Sequence, residues 1–386
     1  MRDRSDATKV NPFRYGDLVV DDAFTDRARE LDDLKSDIRN GQNVALIAPR
    51  RYGKSSLVHR ATQDLLAEDI LVVEVDLMST PTKEKLASKL AKSIHDDVAS
   101  VLFSAKERLR IFSSFRVVPI ITINPETGSP SFSFTGAKAE QDIDDTLERL
   151  FELPAELAAD GGKRIVLFFD EFQEITDIDR KLPAQMRAVF QRQPHVAHLY
   201  AGSKRDMMRR LFTHENEPFF RSAKIMDVGA IPADVFKAFV LQRFEQSERG
   251  VDREVLDELL EITRGHPYGT QELAYALWEE VPHGFTANSG DLHNALAAVL
   301  RSENAHFSLL WDRASRTQRI LLQALGSDPA RPLSHGFREL HDLPAASTVQ
   351  RALEVMLSEE LVARMPDGRV GIVEPFLREW IAAYAA

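Results

Sequence analysis

The chain has 386 residues, 44% hydrophobic and 28% charged, enough for two or three domains with full cores, which excludes both a lone small module and a largely disordered chain. Lys and Arg number 49 against 60 Asp and Glu, a net charge of −11, so any nucleic-acid contact needs a local basic surface. Cysteine is absent, which removes disulfides, thiolate zinc sites, iron–sulfur clusters and cysteine nucleophiles, and fits a reducing, cytoplasmic setting.

Along the chain, Asn11-Pro12 and Gly16 punctuate an irregular lead-in. The charged start, Met1 to Asp6, lacks the apolar core of a signal peptide, and no apolar run approaches the roughly 18 residues that span a bilayer, so no membrane role is expected. Ala28, Leu31, Leu34 and Ile38 recur at helical spacing, and Asn40-Gly41 stops that helix. Five apolar runs then follow: Asn43–Ala48, Ile70–Leu77, Arg164–Phe169, Val196–Gly202 and Ala223–Val228. Helical segments separate most of them, the pattern of a parallel sheet covered on both faces. Between about 110 and 137 the alternation breaks. Val117 to Ile123, the turn Asn124–Gly128 and Phe132-Ser133-Phe134 read as an inserted β-hairpin, Pro119 favouring an edge. It is expected to extend the sheet edge or to lay one face on the core or a partner. After Gly229 the strand signal fades and helices take over, over Asp234–Glu248, Asp252–Thr263 and Thr270–Glu280, interrupted at Gly265-His266-Pro267. The last stretch reads as three helices (318–324, 336–341, 347–359), a hairpin turning at Pro366-Asp367-Gly368 and a helix from Pro375, the order of a winged helix-turn-helix. The expected division is 1–228 for the α/β domain, 229–285 for a helical lid and 286–386 for linker helices and the winged helix.

The most informative segment is Ala48-Pro49-Arg50-Arg51-Tyr52-Gly53-Lys54-Ser55-Ser56, between an apolar strand and a helix. Successive backbone N–H groups and a helix N-terminus make an anion cradle, Lys54 reaches the β- and γ-phosphates, and the Ser55 hydroxyl ligates Mg2+. This is a Walker A loop in which Ala48 replaces the usual first glycine. Arg164–Phe169 runs into Asp170-Glu171, the Walker B form: Asp170 serves Mg2+ and Glu171 polarises the attacking water. The plainer reading of Asp-Glu after a strand is a helix cap.

These motifs, with Phe168-Phe169-Asp170-Glu171-Phe172-Gln173 and Phe24–Leu31, resemble the archaeal-type P-loop ATPases, relatives of STAND signalling ATPases and of AAA+ ATPases of the origin-recognition type. The resemblance implies an ASCE-type α/β core, an all-α lid and a winged helix, with ATP and Mg2+ as cofactors and hydrolysis as the activity. It implies that Arg27 lies near the nucleotide, against an exposed arginine at a helix start. It makes Ser203 a γ-phosphate sensor, against a cap of the next helix. Arg221 becomes an arginine finger reaching a neighbouring subunit, against a surface salt bridge. Pro267 becomes the lid proline beside the adenine, against a simple helix break. The origin-type relatives carry an arginine in the next helix, whereas Tyr268 to Leu273 contains none, which favours a slow switch over a motor.

From Ser315 to Ala386 eight basic residues face nine acidic ones, not the footprint of a strong phosphate binder. Ser347, Thr348, Gln350 and Arg351 on the candidate recognition helix, with Arg364 and Arg369 beside the wing, are positions for DNA or for a protein partner. The sequence reading is a nucleotide-dependent switch that hydrolyses ATP and assembles with itself or a protein partner. The alternatives are a DNA-binding regulator or loader of the origin-recognition type and a signalling protein that binds nucleotide without hydrolysis.

Overall fold

The computed structural model describes residues 10–16, 27–113, 120–123, 130–134, 140–365 and 367–385. Phe24 to Asp26, Val117 to Pro119, the 124–128 turn and Pro366 lie outside them. The chain divides into two compact units, one of residues 28–48 and 57–228, the other of residues 1–27, 49–56 and 229–386.

In the first unit, among the described residues, seven strands follow the Ala28–Arg39 helix: β1 (Val44–Ile47), β2 (Ile70–Asp76), β3 (Ile120–Ile123), β4 (Pro130–Ser133), β5 (Arg164–Asp170), β6 (Val196–Gly202) and β7 (Lys224–Asp227). Five form a parallel sheet in the order β2-β5-β6-β1-β7. The central strands β1 and β6 are buried along their whole length, as helices on both faces require. The edges are more polar: Glu74 on β2 and Lys224 and Asp227 on β7 are exposed, which discourages further strand pairing. The register sets Ile47 opposite Gly202 and Asp76 opposite Asp170, so the carboxyl ends of these strands align, where α/β sheets carry their sites.

The hairpin does not extend this sheet. Among the described residues, β3 and β4 pair only with each other. Phe132 packs 4.9 Å from the Phe112 ring and 5.5 Å from the His95 ring, and Phe132 and Phe134 are buried in the unit's core, which anchors the hairpin over helices instead of at the sheet edge. Ile120 and Ile123 point outward. That core also holds an aromatic cluster: Phe172 lies 4.5 Å from Tyr200, which also contacts Phe212 and Phe219.

In the second unit one apolar core runs through the helices Ala233–Gln246, Arg253–Thr263, Pro267–Glu280, Ser289–Arg313, Arg316–Gly326, Ala346–Ser358 and Pro375–Tyr384. Asn288 and Ser315 start two of them with reciprocal capping boxes to Asp291 and Gln318. A two-residue parallel pair, β8 (Gly250–Val251) and β9 (Thr286–Ala287), corrects the all-helical expectation; so short a strand shows no alternation in the sequence. Gly265-His266-Pro267 starts a helix three residues earlier than expected, with His266 as N-cap and Pro267 at the first helical position. The antiparallel wing, β10 (Val362–Arg364) and β11 (Val370–Ile372), follows the helix 346–358. Among the described residues no helix is long and apolar enough to cross a membrane.

Candidate nucleotide site

The candidate residues fall into two groups, one per unit. The first is the loop Pro49–Ser56, which the chain places between β1 and the Lys54–Leu66 helix. The loop is a turn closed by Tyr52 N–H donating to the Pro49 carbonyl at 3.3 Å. Arg51 and Gly53 both adopt left-handed backbone, φ 64° and 79°. Glycine takes that conformation freely; arginine does so at a cost of about 1 kcal/mol or more, so the surroundings must hold it. At the helix start Lys54 is buried and Ser55 is exposed.

Neighbours within the same unit brace the loop. Arg27 is 4% exposed, and its Nη2 donates to the Tyr52 carbonyl at 3.2 Å and to the Gly229 carbonyl at 2.7 Å. It is therefore not an exposed helix-start arginine. The Tyr52 ring meets His266 edge-on at 4.7 Å. His266 Nδ1 accepts from Gly269 N–H at 3.0 Å, which requires an unprotonated Nδ1, and burial with the nearby Arg51 charge pushes its pKa down to about 3. Half-buried Pro267 follows directly. The Arg51 guanidinium lies 4.4 Å from the Tyr268 ring centroid, and its Nη1 is 3.5 Å from Glu374 Oε2; Arg50 Nε is 2.8 Å from Glu360 Oε2. Nothing in the sequence marked Glu360 or Glu374, since only folding brings the winged-helix region beside the loop arginines.

The second group closes the strands of the parallel sheet. Ala48, fully buried after β1, donates its N–H to the Gly202 carbonyl at 3.3 Å. Asp170 ends β5, and its Oδ1 accepts from Glu171 N–H at 2.8 Å. Glu171 turns the chain through left-handed backbone, φ 50°. Its side chain caps no helix. Instead Oε2 accepts from Ser203 Oγ at 2.9 Å and from Gln173 Nε2 at 2.5 Å. The close approach of Gln173 depends on Gly202, where a Cβ would fall 2.3 Å from Gln173 Oε1 and 2.5 Å from Met208. Ser203 is 2% exposed and does not cap the Arg205–Thr213 helix, whose N-cap is Lys204. Gln173 was missed as a site residue; its one signal is its place two residues after Glu171.

Arg221, also left-handed with φ 53°, is exposed. Its guanidinium lies 5.2 Å from the Phe220 ring centroid, and it lines a surface groove of about 450 Å3 with Phe212, Phe220 and Ile225. It makes no ion pair among the described residues, so the salt-bridge alternative is not what the structure contains.

A family model described as an ATPase domain predominantly from Archaea matches residues 24–273. The chain belongs to this ATPase family. A second model, described as "Probable winged helix domain", matches residues 305–383 of the ATPase. Among solved structures it is similar to a Walker-type ATPase of Pyrococcus abyssi, at 18% identity, with 93% of this chain and 96% of that chain covered and a TM-score of 0.63. It is also similar to the ORC1 protein of Aeropyrum pernix in complex with DNA, at 13% identity, with 95% and 94% covered and a TM-score of 0.49. The ADP form of the Aeropyrum pernix ORC2 protein matches at 14% identity, with 95% and 97% covered and the same TM-score of 0.49. At 18% identity the likeness to the Pyrococcus abyssi ATPase is one of fold, which with the second family model gives a parallel-sheet P-loop core and a C-terminal winged helix. No curated protein matches.

Proposed function

We propose that this ATPase-family protein binds Mg-ATP and hydrolyses it, using the cycle as a conformational switch. The observation that carries the reading is the Glu171 carboxylate, which directly follows a buried strand ending in Asp170 and is fixed by two donors, Ser203 and Gln173. A carboxylate fixed in orientation at the end of a strand can orient and deprotonate a water, which is a positioning task of the kind phosphoryl transfer requires. Lys54 supplies the cation for the β- and γ-phosphates, and the amides of the Pro49–Ser56 loop cradle them. Ser203, through its hydroxyl, ties the γ-phosphate sensor position to the base. Arg27 shapes the loop through the Tyr52 carbonyl, and Pro267 borders the adenine.

The donors Ser55 and Asp170 fit Mg2+, a hard cation that takes a few protein oxygens and keeps several waters. Among the described residues no group of three or more His, Asp or Glu forms the kind of cage that a tighter-held metal uses. Once bound, Mg2+ neutralises charge on the phosphate oxygens. Arg221, exposed and without an ion-pair partner among the described residues, is the group that reaches a neighbouring copy in the ATP-bound assembly. The near-neutral C-terminal module, with eight basic against nine acidic residues, favours output through protein assembly.

A titration of wild type and Lys54→Ala with a fluorescent ADP and a slowly hydrolysed ATP analogue tests the binding half. Wild type is expected to bind both, and Lys54→Ala to lose at least tenfold in affinity, about 1.4 kcal/mol. Equal affinities would remove the loop from the nucleotide site.

A further inference from the structure

Both arginines of the phosphate loop are engaged by carboxylates of the winged-helix region. Arg50 Nε is 2.8 Å from Glu360 Oε2, at the turn before β10. Arg51 Nη1 is 3.5 Å from Glu374 Oε2, at the N-cap of the last helix, while its guanidinium rests on Tyr268. The Arg51 charge also acts on the buried Glu272, so two carboxylates, Glu272 and Glu374, draw on one guanidinium, while Glu303 repels both. Glu272 is 3% exposed, and its Oε2 has no hydrogen-bond partner; Glu374 Oε1 is likewise unpartnered. The loop assigned above to a polyphosphate thus has two of its cations, Arg50 and Arg51, engaged by carboxylates of the same chain.

We propose that Glu360 and Glu374 are positioning residues that act through Arg50 and Arg51, holding both loop cations on the winged-helix side so that a nucleoside polyphosphate must win them from these carboxylates. Competition for the same guanidinium groups makes the effect reciprocal. Whatever factor the carboxylates cost nucleotide affinity, bound nucleotide takes from the winged-helix contact. Because both arginines are exposed to solvent, each pair is worth about two- to fivefold, which sets the scale of the coupling. The phosphate ligand rests on the nucleotide reading above, whereas the positioning role can be read without any ligand.

The experiment uses the full chain as wild type, Glu360→Gln, Glu374→Gln, the double variant and Glu374→Asp. Binding of Mg-ADP and of a slowly hydrolysed ATP analogue is expected to tighten about two- to fivefold in each Gln variant and further in the double variant. KM should fall with kcat unchanged, and Glu374→Asp, which keeps the charge, should stay closer to wild-type affinity than Glu374→Gln. Unchanged or weaker binding in all Gln variants overturns the proposal. The ligand-free readout is hydrogen exchange at the loop amides Arg50 to Ser56. Faster exchange in the double variant, with Glu374→Asp closer to the wild-type rate, supports the positioning role, and equal exchange in wild type and double variant overturns it. If wild type binds no adenine nucleotide, the functional reading fails while the exchange result still decides this one. If Glu374→Gln does not fold, Glu360→Gln carries both readouts, since its partner Arg50 is 59% exposed and Glu360 sits partly exposed, at 15%, on the turn before β10.

Discussion

Ser203→Ala removes one hydroxyl donor from the Glu171 carboxylate. Ser203 is 2% exposed, and its Oγ donates to Glu171 Oε2 at 2.9 Å. A hydrogen bond to a charged acceptor contributes about 1.5–3 kcal/mol. Gln173 Nε2 stays on the same oxygen at 2.5 Å, so the carboxylate keeps a partner and the lower half of that range applies. At about 1.4 kcal/mol per decade, a loss of about 1.5–2 kcal/mol in positioning lowers kcat by about 10–30-fold. Nucleotide affinity should stay within about twofold, because no loop contact is removed. Single-turnover release of phosphate from pre-bound Mg-ATP, paired with an equilibrium titration, reads the two quantities separately. Because both donors act on one oxygen, Ser203→Ala with Gln173→Ala should cost more than the sum of the two. An unchanged kcat in a folded Ser203→Ala protein would refute the reasoning. A loss of binding matching the loss of rate would also refute it, moving Ser203 from the base to the ligand.

Further predictions concern the loop and its brace. Gly53→Ala meets no atom within 4 Å, so its penalty is purely the left-handed backbone at φ 79°, about 1–2 kcal/mol; a loop that keeps the turn loses that stability and its thermal midpoint falls by a few degrees, whereas a loop that relaxes out of the turn loses about 5–30-fold in nucleotide affinity instead, and the absence of both changes would show that the turn is not needed. His266 is ordinarily half-protonated near 6.5 but is held near 3 in the fold, so the unfolded chain takes up the proton first. The stability it contributes is therefore complete above about pH 6.5 and is lost as pH falls from there toward 3. Thermal midpoints from pH 7 to 4 should drop less steeply in His266→Asn, which keeps a cap for the helix at Gly269 without titrating in that window; parallel slopes would exclude the group.

Much of the fold and half of the site can be read from local pattern. Continuous apolar runs such as Val196–Gly202 specify buried parallel strands, and the Gly53-Lys54-Ser55 and Asp170-Glu171 sequences mark the loop and the strand end, because backbone geometry and chemistry there depend on adjacent residues. What pattern misses depends on pairing across the chain. The hairpin's alternation is equally compatible with a sheet edge, and only the packing of Phe132 on Phe112 decides its place. Arg27 and Ser203 each had two local readings; Arg27 is settled as buried by the Tyr52 and Gly229 carbonyls, and Ser203 as a partner of Glu171 and not a cap. Glu360 and Glu374 are more than three hundred residues from the arginines they meet, so no spacing could reveal them.

The most direct test of the central claim is steady-state Mg-ATP turnover by wild type and Glu171→Gln, with nucleotide binding measured on the same samples. Gln keeps the side chain's size but cannot take a proton. The account predicts measurable turnover in wild type, a loss of at least about a hundredfold in the variant, in line with the removal of a general base, and unchanged binding. Equal rates in the two proteins would contradict it.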